Sequence, residues 1–121
     1  MYPPVFAVCS ASAAVKALIG TSPVRLYMFG MAPQNVAYPY AVWQQVGGAP
    51  ENYLGQTPDI DTFTTQIDVY ADTQAQARAV AQALSAAIEP AAHVTRWGAD
   101  SQDPETKRYR SSFDVDWWTS R

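Results

Sequence analysis

A chain of 121 residues with 8 Lys and Arg against 11 Asp and Glu carries a formal charge of -3, which excludes the dominant basic face that tight nucleic-acid binding requires. Its single cysteine, Cys9, excludes an internal disulfide, and none is needed, because a single domain of this length (1–121) hides about two thirds of its unfolded surface. Only 16% of the residues are charged while four are Trp and seven Tyr, a balance that favours a subunit burying aromatic surface against partners.

From Pro4 to Ile19, Val5, Val8, Ser12, Val15 and Ile19 recur at three- and four-residue steps. They predict an amphipathic helix opened by Pro4 and stopped by Gly20. Cys9 falls in this pattern as a small buried hydrophobe. The stretch has no basic leader, and Ser10, Ser12 and Lys16 interrupt its apolar run, so neither a signal peptide nor a membrane span is expected. Val24 to Phe29 reads as a short strand. After the loop GMAPQNVAYP comes a second strand, Tyr40 to Val46, with Tyr40, Val42 and Val46 on one side and Ala41 and Trp43 on the other. Gly47 and Gly48 are expected to end it, and Gly48 to Asp61, with Pro50, Gly55 and Pro58, to form an extended connection suited to binding.

The next segment carries the sharpest signal. Phe63, Thr65, Ile67, Val69 and Ala71 share one face and Thr64, Gln66, Asp68 and Tyr70 the other, the alternation of a half-buried strand. The rhythm then changes, with Ala77, Val80, Ala81, Leu84 and Ile88 forming a helical stripe behind a Thr73 and Gln76 capping pair. Pro90 stops that helix, and Ala92 to Trp97 predicts a fourth strand. Gly98 to Lys107 reads as an exposed loop. Tyr109, Ser111, Phe113, Val115 and Trp117 then alternate against Arg110, Ser112, Asp114, Asp116 and Trp118 in a final strand. The order predicts an α+β fold in two layers, two helices packed on one face of a mainly antiparallel sheet of four to five strands.

Little in this pattern suggests catalysis. His93 is the only histidine and has neither a second His nor the Cys near it in sequence, so an ordinary strand histidine is favoured over a ligand or proton carrier. The serines lack the sharp strand-to-helix turn of a nucleophile. Asp114 and Asp116 lie about 7 Å apart on one strand face; with Asp68 they could form an acidic cluster, although a solvated face paired with Arg110 is the favoured reading. Trp117 and Trp118 must point to opposite faces, so at least one lies outside the main core and is a candidate interface anchor.

The VRLYMFG strand, Ala32, Pro33 and Gln34, the run PYAVWQQVGG from Pro39 to Gly48, and TQIDVYADT from Thr65 to Thr73 before an alanine-rich helix resemble the small tail-completion proteins of long-tailed phages and prophages. The most specific matches are Pro39 and Tyr40 opening one strand and Gln66, Asp68 and Ala71 closing the next. The likeness covers most of the first ninety residues; beyond Ala91 it rests on strand-loop-strand character. It implies a structural subunit without catalytic residues, cofactor or metal. Such a subunit terminates the tail tube at its head-proximal end as a ring, commonly of six copies, and joins it to the head connector. Implied partners are further copies of itself, the tail-tube protein and the head connector. DNA would pass through without specific binding and no membrane is involved; the protein would reside in the virion after assembly in the host cytoplasm. Interface candidates are Tyr40, Trp43, Gln66, Asp68, Tyr70 and Trp118, and lumen candidates are Asp59, Asp61, Asp114 and Asp116. A head-closure or other neck protein of similar fold is the nearest alternative, and a small metal- or ligand-binding enzyme a more distant one.

Overall fold

The computed structural model describes residues 3–21, 23–50, 60–98 and 100–120. Within them the chain begins with two short helices, α1 (Val5–Ser10) and α2 (Ala13–Ile19), where the periodicity predicts one. The break has a local cause. The Ser12 hydroxyl accepts from the Val15 amide at 3.3 Å, capping a new helix start, so Ser12 serves as a cap rather than as a member of the apolar stripe. Pro4 stands at the cap position of α1 rather than inside its first turn. Gly20 ends α2 at φ 95°, a left-handed backbone that glycine adopts at low cost.

Six strands follow: β1 (Leu26–Met28), β2 (Tyr40–Pro50), β3 (Ile60–Ala71), β4 (His93–Trp97), β5 (Ser101–Gln102) and β6 (Tyr109–Ser120), with α3 (Gln74–Ile88) between β3 and β4. The sheet order is β1-β2-β3-β6-β4, and β5 pairs separately with β6. Every pairing is antiparallel except that of β1 with β2. The mostly antiparallel α+β fold predicted from the alternation is therefore present, with one more helix and at least one more strand. The second strand does not stop at Gly47 and Gly48. A register shift between Gln45 and Gly47 lets β2 absorb the glycines and continue to Pro50 opposite Asp61, as a bulge does. The expected connection after Gly48 is thus partly strand, and residues 51–59 lie outside the described residues. The loop after Gly98 contains β5.

All three helices contribute to one apolar layer. Val5, Cys9, Val15 and Ile19 pack with Val80, Ala81, Leu84 and Ile88 of α3 over Ala41, Trp43, Phe63, Ile67, Val69, Phe113, Val115 and Trp117 of the sheet. The capping pair predicted at α3 forms in modified geometry. Thr73 accepts from the Gln76 amide at 3.1 Å, while the Gln76 side chain accepts from the amide of Asp72 rather than that of Thr73. Two buried polar groups satisfy each other inside this core, the Trp117 indole N–H donating to the Thr65 hydroxyl at 3.0 Å.

Candidate interaction surface

Strand alternation sends every second side chain away from the helices, and the register aligns them in rows. Tyr40, Tyr70 and Arg110 form the first row; Val42, Asp68 and Ser112 the second; Gln44, Gln66, Asp114 and Arg96 the third; Thr64, Asp116 and His93 the fourth; Trp118 lies beyond them opposite Thr62. Aromatic groups therefore occupy both ends of the helix-free face, and polar groups its middle.

At the first end the Tyr40 and Tyr70 rings stack at 5.1 Å and 22°, and Tyr38 meets Tyr40 edge-on at 5.1 Å. The Arg108 guanidinium lies 3.9 Å over the Tyr38 ring, within cation–π range, and pairs with Asp72 at 3.2 Å. With Ser101 to Pro104 and Thr106, the three tyrosines and Arg108 border a groove of about 330 Å³. Beneath the stack, Asp68 accepts from Arg110 at 2.9 Å and from the Gln66 amide group at 3.0 Å. Burial, reinforced by the neighbouring Tyr38 phenol, pushes the Tyr40 phenol from 10.0 up to about 12. Burial and then the Asp68 charge also raise Tyr70.

The sign of the linkage follows. The folded state holds the Tyr40 proton more tightly than the unfolded chain does, so its contribution is complete below pH 10 and is lost as pH rises towards about 12,. The Tyr40→Phe variant should therefore show a shallower fall in urea midpoint between pH 10 and 12 than the parent. A fall of unchanged slope would contradict this assignment. The slope that persists belongs to Tyr70 and to Cys9, whose thiol burial pushes from 9.0 up to about 12.

At the second end the Trp118 ring is 49% exposed and meets His93 edge-on at 5.8 Å. Its neighbour Trp117 is 1% exposed, so the pair divides between the two faces as the alternation requires. In the polar middle, Asp116 accepts from the Thr64 hydroxyl at 2.8 Å and Asp114 lies 3.8 Å from Arg96. Asp68 is committed to Arg110 instead of joining them. Among the described residues no three His, Cys, Asp or Glu side chains are grouped to hold a metal.

Of the interface candidates, Tyr40, Gln66, Asp68, Tyr70 and Trp118 share the helix-free face, with Asp68 7% exposed beneath Arg110. Trp43 does not join them. At 7% exposure on the covered face it is a core side chain, because it alternates with Val42 and Gln44 rather than with Ala41. Of the lumen candidates, Asp114 and Asp116 stand together on the helix-free face, Asp61 pairs with Pro50 and Thr119 in the backbone register, and Asp59 lies outside the described residues. The Tyr38, Asp72 and Arg108 cluster escaped sequence reasoning because its members come from three separate segments with no shared motif.

A search of curated proteins returns no match. Among solved structures, a chain of the virion of a native gene transfer agent particle superposes with a TM-score of 0.70 at 18% identity, over 97% of this chain and 92% of the other. The gp17 protein of bacteriophage SPP1 superposes with a TM-score of 0.60 at 11% identity, over 97% and 86%. These likenesses establish a shared fold. The model of the family described as tail completion protein gp17 matches residues 3–120. The chain belongs to the tail completion protein gp17 family and is a structural protein of phage-type tails.

Proposed function

We propose that the chain terminates the tail tube at its head-proximal end and joins it to the head connector as a closed ring of identical copies, six being the expected number. The observation that carries this reading is the helix-free sheet face, which bears an exposed Trp118 and a Tyr40–Tyr70 stack at its ends and carboxylates between them. A lone subunit gains nothing from leaving large aromatic rings in water, whereas Trp and Tyr anchor interfaces well. Asp114 and Asp116 face the channel in this ring, where like charge keeps DNA phosphates moving past without sticking. The 30–37 loop contacts the tail tube or the connector. Tail completion here is a matter of binding geometry, with no chemical step.

The Trp118→Ala variant should lower the mass of the complex with the tail-tube protein seen by light scattering, while the circular dichroism spectrum stays that of a folded protein. Unchanged mass would remove Trp118 from the interface. The reading as a whole fails if the parent protein stays monomeric with its tail-tube partner and particles lacking it carry tails of normal length.

A further inference from the structure

We infer that the ring closes edge to edge, the Phe29–Met31 turn beyond β1 of one copy packing against Trp97 on β4 of the next; this rests on the ring reading above. Among the described residues the sheet is bounded by β1 on one side and by β4, with the short β5 further along β6, on the other, and both β1 and β4 end in exposed apolar groups. Phe29 is 68% and Met31 70% exposed at the first edge, and Trp97 55% exposed at the second. Among the large hydrophobic side chains of the described residues these three are the most exposed.

Their relative height makes the edges complementary. Met28 pairs in register with Trp43, Trp43 with Ile67, Ile67 with Phe113, and Phe113 with Trp97. One apolar row thus crosses the whole sheet. It ends at Trp97, whose ring contacts Phe113 at 5.3 Å, and at Met28, whose carbonyl accepts from the Met31 amide at 2.9 Å and so folds the turn back to that level.

A head-to-tail contact generates a ring only when each step is a rotation without translation along the axis; otherwise it generates an open helix. One residue of offset would add about 3.3 Å per copy. Patches on the same cross-strand row have no such offset when the strands run along the ring axis. The edges also discourage simple strand addition. β1 has three residues, and β4 has a register shift between Val94 and Arg96. Short and bulged edges resist main-chain pairing, so the joint is made by side chains.

Cross-linking in assembled tails tests this directly. Met31→Cys and Trp97→Cys replace exposed side chains, and native Cys9 does not compete, because it is fully buried and its thiol is pushed up to about 12. Tails carrying both substitutions in each copy, treated with a short bismaleimide and quenched before denaturation, should give a ladder of covalent oligomers rising to the full ring. Either substitution alone should leave only monomer. Dimers from a single-site variant would mean that like patches meet, and would overturn the inference. So would the absence of a ladder from the doubly substituted protein in tails that contain it. Untreated tails holding one copy each would instead overturn the ring itself.

Discussion

Replacing Trp117 by Ala should cost about 3–5 kcal/mol, the usual range for emptying a buried aromatic site. That is a large share of the 5–15 kcal/mol that holds a domain of this kind together. Trp117 is 1% exposed within the core formed by β3, β6 and the helices, and its indole N–H is the partner of the fully buried Thr65 hydroxyl. Truncation therefore opens a cavity and strands a polar group. Companion variants separate the two costs. Trp117→Phe keeps much of the apolar area but leaves the Thr65 hydroxyl unpaired, and Thr65→Val leaves the indole N–H unpaired, each at about 1–3 kcal/mol. The double variant, with both polar groups gone, should be destabilised by less than the sum of the singles. Urea unfolding followed by circular dichroism reads all four proteins. Strict additivity would show that the hydrogen bond contributes nothing.

That prediction depends on side chains whose burial was legible from the alternation of β6 for Trp117 and of β3 for Thr65, because a two-residue period decides the face of each residue once one face is covered. The same holds for Phe63, Ile67, Val69 and Ala71 and for the α3 stripe, all of which the structure buries as read. Local rules failed where two local signals competed. Ser12 fits an apolar stripe by spacing and a cap by chemistry, and the cap prevailed because it satisfies a helix-end amide,. Gly47 and Gly48 act as strand ends in isolation, yet twelve residues of β3 supply a partner ladder that carries β2 through them.

The interaction surface was legible by face and illegible by arrangement. Alternation placed Gln66, Asp68 and Tyr70 opposite the helices, but nothing in one strand reveals which residue stands beside it on the next. The Tyr40–Tyr70 stack, the parallel pairing of β1 with β2, and the cross-sheet row from Met28 to Trp97 all depend on register between distant segments. Trp43 shows the same gap. Its face is fixed by parity with Ala41, and only the position of the helices identifies that face as the covered one.

Asp68→Ala should destabilise the fold by about 1–3 kcal/mol and shift a titration as well. Asp68 is 7% exposed and accepts two hydrogen bonds, from Arg110 and Gln66; its loss leaves the Arg110 guanidinium with no carboxylate and an Nε already buried without a partner among the described residues. Breaking a fully buried pair costs about 3–5 kcal/mol. The Arg110 side chain is 42% exposed, so water recovers part of that loss and the lower range applies. Removing both charges, as Asp68→Leu with Arg110→Met, should restore stability to within about 1 kcal/mol of the parent, because neither charge is then desolvated without its counterpart. The Tyr70 phenol supplies an independent readout. The Asp68 charge is one of the causes raising it and Arg110 lowers it, so Asp68→Ala should let Tyr70 ionise at lower pH than in the parent, followed by NMR of 13C-labelled tyrosine with the Tyr70 ring assigned through its Tyr70→Phe variant. If Tyr70 did not move, Asp68 would not act on the aromatic end of the helix-free face, and the ion pair would be a support for strand register alone.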